Sequence, residues 1–263
     1  MPHPDHSDDT DRRRAPAGPA VHDRSVPAPP SGRPVPGAVL LDFHGTLAQV
    51  EDPVTWVRAA AQACGVTVDD ERAAPLADRL LAAGRAGGPL PVSVPRELAD
   101  DWTARDLRVA SHRAAYTGLA RTVDSGIEGL ADALYDRLLG PAGWVVYADT
   151  VEVLGALREA GVPVALVSNI GFDLRPHLAA WGLDALLDAV VLSYEVGHTK
   201  PDPAIFRHAC GLLGVEPGRT LMVGDTPADA GATAAGCTTL VLPAAGPGES
   251  NGLGAVLSLT GVR

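Results

Sequence analysis

The sequence predicts an α/β protein, a three-layer α/β/α sandwich on a parallel sheet with a helical bundle inserted near its start. Four apolar residues at 38–41 run straight into Asp42, which is typical of a strand buried on both faces. From residue 149 onwards, short apolar runs alternate with helical patterns, as they do in parallel sheets. Residues 51–143 break this alternation and show helical patterns only.

The first predicted strand ends in a polar turn. In open α/β sheets, the functional groups sit at the carboxyl ends of the strands, which is the position of Asp42. A carboxylate there is costly to bury unless it is paired, and a metal ion is a common partner. Gly45 permits a sharp turn that a side chain would obstruct.

The inserted segment contains four predicted helices. Asp52 is a suitable N-cap for the first helix, and Pro53 fits its first turn. Glycines or a Gly-Pro pair close the second and fourth helices. The third is long and is expected to contain a break. The predicted spans are 53–64, 69–86, 95–123 and 125–139, enough for a small bundle.

The remaining elements define the predicted domains. Later strands are expected at 162–167, 189–192, 220–223 and 238–242, with helices at 149–160, 172–181, 203–213 and 229–235. Residues 1–36 contain almost no large apolar side chains and are expected to be disordered. We therefore predict an α/β core formed by 37–50 and 144–263, with 51–143 as an inserted helical domain.

Composition excludes several classes of partner. The 263-residue chain has a net charge of −11 and a pI of about 5.1, which argues against a basic nucleic-acid-binding surface. No apolar run approaches the roughly 20 residues that span a bilayer. Cys64, Cys210 and Cys237 are far apart and odd in number, which favours reduced thiols in the cytoplasm. We therefore expect a cytoplasmic protein with no membrane partner.

One basic residue differs from all the others. The chain has 21 lysines and arginines, and Lys200 is its single lysine. A GC-rich coding sequence could explain the preference for arginine. Alternatively, Lys200 marks a place where a compact ammonium is needed and a guanidinium does not fit.

Four short motifs, in order, resemble those of the haloacid dehalogenase superfamily. Residues 42–47, D-F-H-G-T-L, resemble its first motif, D-x-D-G-T-L. Residues 167–169, V-S-N, resemble the second motif, and residues 197–206, G-H-T-K-P-D-P-A-I-F, closely resemble the third. Residues 223–229, V-G-D-T-P-A-D, resemble the fourth. Their joint occurrence in this order is unlike chance matching of a single short motif.

The resemblance implies a Rossmann-like core whose helical cap, inserted after the first motif, selects the substrate. It also implies a Mg²⁺-dependent phosphatase that hydrolyses a phosphomonoester of a small metabolite through an aspartyl-phosphate. The implied roles are Asp42 as nucleophile, Ser168, Asn169 and Lys200 as phosphate ligands, Asp42, Asp225 and the His44 carbonyl as Mg²⁺ ligands, and Asp229 as their brace. Two carboxylates four residues apart after a buried strand also suit a hard cation.

His44 departs from the family pattern, which usually places a second aspartate there. Imidazole transfers protons near neutral pH, so His44 is the expected acid and base. Alternatively, His44 impairs turnover, leaving a binding protein, or marks a different chemistry. Superfamily dehalogenases carry Tyr here and lack the pair of metal-binding carboxylates that this chain keeps. Phosphonatases carry Ala here and need a lysine in the cap, which this chain lacks. Both alternatives are therefore disfavoured. The sequence indicates neither the substrate nor the oligomeric state.

Several side chains of the inserted segment are candidates for substrate contact. His112 and Tyr116 are four residues apart and share one helix face. The alternative for each candidate is packing in the bundle or a solvated position. The other candidates are Trp56, Trp102, Arg108 and Arg113.

Overall fold

The computed structural model describes residues 35–263, so the predicted disordered tail lies almost wholly outside the described residues. The strands are β1 (Ala38–Leu41), β2 (Ala48–Val50), β3 (Trp144–Val146), β4 (Val164–Ser168), β5 (Ala189–Leu192), β6 (Thr220–Gly224) and β7 (Thr238–Val241). The α-helices are α1 (Pro53–Ala63), α2 (Asp70–Ala83), α3 (Ala99–Ala104), α4 (Val109–Arg121), α5 (Leu130–Leu138), α6 (Thr150–Glu159), α7 (Arg175–Ala180), α8 (Ser193–Val196), α9 (Pro203–Leu213), α10 (Pro227–Ala230) and α11 (Ala255–Thr260). Within residues 35–263, no helix is long and apolar enough to cross a membrane.

Five strands form one sheet in the order β5-β4-β1-β6-β7, and every neighbouring pair is parallel. This arrangement confirms the predicted α/β fold class. The chain moves from β1 to β4 and β5 on one side, and then to β6 and β7 on the other. β1 therefore lies at the point where the strand order reverses, which is where such sheets place their ligands.

The central strand is buried on both faces, as its apolar run predicts. Val39 and Leu41 belong to one hydrophobic cluster, whereas Leu40, which points the opposite way, belongs to another. The same alternation holds along β4 and β6. These three strands are therefore held from both sides, and their carboxyl ends are fixed against each other.

The register of the sheet brings three motifs together. Leu41 of β1 pairs with Leu166 of β4 and with Val223 of β6. The residues that follow these positions in each strand therefore lie at the same edge of the sheet. Asp42, Ser168 and Asp225 all follow within two residues of this paired row.

The inserted helical segment contains α1 to α5 and has a hydrophobic cluster of its own, which includes Trp56, Leu80 and Leu134. β2 and β3, at its two ends, pair with each other as an antiparallel ribbon. Beyond the ribbon, the Glu51 N–H donates to the Gly143 carbonyl at 2.9 Å. The chain therefore leaves the sheet and returns to it through two adjacent strands.

Several helix boundaries differ from the prediction. α2 ends at Ala83, three residues early, because Gly84 turns the chain with φ +126°. The expected long third helix breaks into a 3₁₀ turn, α3 and α4. The fourth begins only at Leu130, after Gly129 in the left-handed region. β2 and β3 were not predicted, since a three-residue strand carries too little periodicity to be detected.

Candidate active site

Asp42 lies in the middle of the carboxyl edge of the sheet, directly after β1. Its N–H donates to the Val223 carbonyl at 2.9 Å, which continues the pairing of β1 with β6. The side chain is buried. Burial raises the pKa of the Asp42 carboxyl to about 6, against the opposing effect of the Lys200 charge. A further cation beside Asp42 would therefore stabilise its ionised form.

Lys200, the single lysine, reaches this carboxylate. Its Nζ lies 2.6 Å from Oδ1 of Asp42 and 2.6 Å from Oδ1 of Asp229, and the residue is buried. Burial lowers the pKa of Lys200, but the two adjoining carboxylates outweigh this effect and leave the pKa above its ordinary value. The ammonium is therefore held in its charged form between two carboxylates.

Both oxygens of Asp229 are occupied. Oδ1 faces Lys200, and Oδ2 accepts hydrogen bonds from the N–H and the hydroxyl of Thr226 at 3.0 and 2.7 Å. The bond from the Thr226 N–H is one half of a capping box at the start of α10, which fixes the position of the carboxylate. Asp229 therefore holds Lys200 in place, and both of its oxygens already have partners among the described residues.

Asp225 completes a cluster of three carboxylates. One oxygen from each of Asp42, Asp225 and Asp229 lies within 4.8 Å of the others. Oδ1 of Asp225 is buried and has no hydrogen-bond partner among residues 35–263. Burial raises the pKa of Asp225, and the nearby Asp229 charge adds to this. An orphaned carboxylate oxygen among acidic neighbours fits a hard cation such as Mg²⁺.

The turn after Asp42 packs directly against this cluster. Gly45 has φ +78°, and a Cβ built on it would lie 2.0 Å from Oδ2 of Asp225. Only glycine combines the left-handed backbone with so close an approach. Gly45 therefore lets the backbone that follows His44 approach the Asp225 carboxylate.

The second motif contributes to the same edge of the sheet. Ser168 is the last residue of β4 and is buried. The Asn169 side chain pairs with the backbone of Lys200, donating from Nδ2 to its carbonyl at 2.9 Å and accepting from its N–H at 2.7 Å. Its amide is therefore engaged in fixing the Lys200 loop, while Ser168 lies at the strand end.

The His44 ring is contacted by Gln49 and Gly87 at the edge that carries Nε2. Nε2 lies 2.5 Å from Oε1 of Gln49, and Gly87 packs against the same edge, since a Cβ there would lie 3.0 Å from Nε2. Burial lowers the pKa of His44, although the nearby Asp42 charge opposes this effect. The neutral form of the imidazole is therefore favoured.

Two residues of this site were missed by sequence reasoning. Gln49 contacts His44, and Asn251 donates from Nδ2 to the carbonyls of Gly45 and Thr46 at 3.2 and 2.9 Å. Asn251 is buried and lies 206 positions from Gly45 along the chain. Neither residue belongs to a motif, and no local pattern marked them.

The candidates in the inserted segment are mostly engaged in packing. His112 is buried and pairs with the Tyr135 hydroxyl at 2.8 Å, while the Trp56 indole N–H donates to a backbone carbonyl at 3.1 Å. Arg113 pairs with two aspartates, and Arg108 is exposed ahead of α4. The rings of Trp102 and Tyr116 pack edge to face, 5.8 Å apart.

Comparison with known proteins matches the same residues. The family model described as haloacid dehalogenase-like hydrolase matches residues 36–236, which include the whole carboxylate cluster and Lys200. This chain belongs to that family. The family is one of hydrolases, and the four motifs predicted this membership.

Relatives within the family carry more than one activity. The chain is 41% identical over 106 residues to a phosphoglycolate phosphatase of Cupriavidus necator, and 39% identical over 101 residues to (S)-2-haloacid dehalogenase 4A of Burkholderia cepacia. These matches cover 39% and 37% of this chain, but only 46% and 43% of the relatives. A crystal structure of a dehalogenase superposes with a TM-score of 0.58 at 27% identity, covering 84% of this chain and 96% of that one.

Proposed function

We propose that this haloacid dehalogenase-like hydrolase is a Mg²⁺-dependent phosphatase of a small phosphorylated metabolite. The observation that carries the proposal is the orphaned Oδ1 of Asp225 beside Asp42. A carboxylate nucleophile repels a dianionic phosphoryl group unless a cation offsets the charge. The pair of carboxylates supplies a place for that cation, and the phosphoglycolate phosphatase relative supports the assignment.

In the proposed site, Asp42, Asp225 and the His44 carbonyl would hold Mg²⁺, and Ser168 and Lys200 would bind the phosphoryl oxygens. When bound, Mg²⁺ would neutralise phosphoryl charge and orient the group for in-line attack. Asp229 keeps Lys200 beside the nucleophile, as its 2.6 Å contact allows. The Asn169 N–H is a further candidate for phosphate binding, whereas the Ile170 N–H donates to the Ser193 hydroxyl at 2.9 Å.

The proposed reaction has two displacements at phosphorus. An Asp42 oxygen forms a bond to phosphorus as the ester P–O bond breaks, and His44 gives a proton to the leaving oxygen. Water then attacks phosphorus and gives a proton to His44, while the bond between phosphorus and the Asp42 oxygen breaks and phosphate leaves. The Asp42 carboxylate is restored, and no other reactant is consumed.

We also propose that residues 37–50 and 144–263 act as the core domain, and 51–143 as a substrate-selecting cap. The separate hydrophobic cluster of the inserted segment supports this division, because a domain is expected to have its own core. Exchanging the segment for that of a relative should change substrate preference while keeping the Mg²⁺ requirement.

The decisive experiment measures phosphate release from an aryl phosphate with Mg²⁺ and with a chelator. We expect turnover only with Mg²⁺, and none from Asp42→Asn, which keeps the side-chain shape but removes the anionic nucleophile. A panel of sugar, nucleotide and carboxylic-acid phosphates then identifies the substrate class. A wild-type rate from folded Asp42→Asn would remove Asp42 from its role.

Dehalogenation is the second candidate, because the chain resembles dehalogenases in sequence and in fold. Halide release from a short 2-haloacid, measured without Mg²⁺, tests it directly. Phosphate binding without turnover on either substrate class would instead favour a binding protein that keeps the pocket.

A further inference from the structure

The structure places the His44 side chain at one end of a chain of hydrogen bonds that leads away from the site. His44 Nε2 lies 2.5 Å from Gln49 Oε1. Gln49 Nε2 donates to the Tyr147 hydroxyl at 3.4 Å, and that hydroxyl donates to the Ala245 carbonyl at 3.2 Å. Tyr147 is buried, so this series of hydrogen bonds is largely removed from solvent.

The Ala245 carbonyl at one end and the Val50 N–H near the other fix the direction of every bond in this series of hydrogen bonds. The Ala245 carbonyl can only accept, so the Tyr147 hydroxyl gives its proton there and accepts from the Gln49 amide nitrogen. The Val50 N–H can only donate, and it lies 2.9 Å from Gln49 Oε1, which identifies that atom as the oxygen. An oxygen cannot donate to His44, so Nε2 must carry the hydrogen.

The same ring edge is closed to a substrate. Gly87 packs against Nε2 and Cδ2 of His44, at a distance where even a Cβ would crowd the ring. These two contacts occupy the Nε2 edge, so Nδ1, on the opposite edge of the ring, is the nitrogen that neither of them engages. Nδ1 of histidine and Oδ1 of aspartate are both bonded to Cγ, so the two atoms extend equally far from the backbone.

We propose that Gln49 is a positioning residue that fixes His44 as its Nε2–H tautomer, so that Nδ1 is the atom that transfers the proton. This inference rests on the proposed phosphatase function for its catalytic part. In the first step, the fraction of His44 that is protonated at both nitrogens gives its Nδ1 proton to the leaving oxygen as the ester P–O bond breaks. In the second step, the unprotonated Nδ1 that results takes a proton from the water that attacks phosphorus, so each turnover restores the protonated form.

The tautomer can be observed without any turnover. In metal-free protein labelled with ¹⁵N-histidine at about pH 8.5, where an ordinary imidazole is neutral, Nε2 should resonate as a protonated nitrogen and Nδ1 as an unprotonated one. The chain has eight histidines, and the signals lost in His44→Asn identify this one. A protonated Nδ1 in the wild-type protein would overturn the proposal.

The second measurement separates positioning from general stability. Gln49→Met removes the acceptor at similar length, so both tautomers should appear, and kcat for an alkyl phosphate should fall about 10- to 100-fold with little change in KM. Gln49→Glu keeps an acceptor and should retain the Nε2–H signature. Val145→Thr is the matched control, because Val145 pairs with Gln49 across the ribbon and is 37% exposed. It should leave both the spectrum and kcat unchanged.

The outcomes distinguish this proposal from the proposed function. If no phosphate ester is hydrolysed but the Nε2–H signature depends on Gln49, the phosphatase assignment fails while the tautomer assignment holds. If Gln49→Met changes neither the spectrum nor kcat, the positioning role is wrong even in an active phosphatase. If it lowers kcat with the spectrum intact, Gln49 acts on the site by another route, and the proposal also fails.

Discussion

Lys200 and Asp42 form a buried ion pair in which Nζ lies 2.6 Å from Oδ1, and their side chains are only 3% and 10% exposed. The ammonium also faces Asp229, so one cation lies between two carboxylates. A buried charge without its partner is costly, and here the loss of one residue would leave two such charges close together.

Removal of this ammonium should therefore cost stability as well as activity. We expect Lys200→Met to lower the free energy of unfolding by about 3–5 kcal/mol, because it leaves Asp42 and Asp229 unpaired. Urea denaturation in the presence of a chelator measures the change without interference from a metal ion. The double variant Lys200→Met with Asp229→Asn should recover part of the loss. A change of less than about 1 kcal/mol, as for a surface ion pair, would contradict the buried pairing.

Gly45 and Gly65 provide a matched pair of substitutions. Both have a positive φ, +78° and +76°, so alanine pays a similar backbone cost of about 1–2 kcal/mol at each position. Only at position 45 would the added methyl meet Asp225, whereas nothing lies within 4 Å at position 65. Gly45→Ala should abolish Mg²⁺ binding measured by calorimetry, and Gly65→Ala should retain it. Equal affinities would show that the turn does not approach Asp225 this closely.

Asn251 should contribute to the stability and the geometry of the first motif. Asn251→Ala leaves the carbonyls of Gly45 and Thr46 without this donor, which should cost about 1–3 kcal/mol and lower kcat. Ser250→Ala is the control, because its hydroxyl bonds to Asp149 at an exposed position. Chemical denaturation and kcat, compared between the two variants, test the difference. Similar small losses in both would assign Asn251 a minor role.

His112 should make stability depend on pH. Burial lowers its pKa to about 3, so the folded protein keeps it neutral while the unfolded chain binds a proton below about pH 6.5. Stability should therefore fall as the pH drops below 6.5, by up to about 1.4 kcal/mol per pH unit. Unfolding of His112→Gln, compared with the wild type at pH 7 and pH 5, should lack about 2 kcal/mol of this dependence. Parallel curves for the two proteins would assign the acid sensitivity to other groups.

The sheet could be predicted because each of its strands has a recognisable local sequence pattern. A fully buried parallel strand must be apolar at consecutive positions, and the four residues of β1 are all apolar. Asp42 follows them at the carboxyl edge of the sheet. The third and fourth motifs also lie at strand or helix ends where local sequence fixes the backbone. These features place Asp42 and Asp225 at one edge of the sheet, and the resemblance of residues 197–206 to the third motif places Lys200 beside them.

The contacts made by Gln49, Asn169 and Asn251 could not be predicted in the same way. Each depends on one side-chain amide meeting a backbone or ring from another part of the chain, and amides carry no periodic signal. The ends of α2 and α5 were misplaced for a related reason. Glycine permits both helix and turn, and the backbone turns at Gly84 and Gly129, where φ is positive.

The hydrogen bond between Glu51 and Gly143 has a consequence for protein engineering. Because the backbone leaves β2 and re-enters β3 at hydrogen-bonded positions, the two ends of the inserted segment lie side by side. A tight hairpin turn of two to four residues could join β2 to β3 directly. A replacement segment can therefore be grafted at this single junction, provided that it also covers the sheet-side cluster into which Ala86, Tyr135 and Leu138 pack.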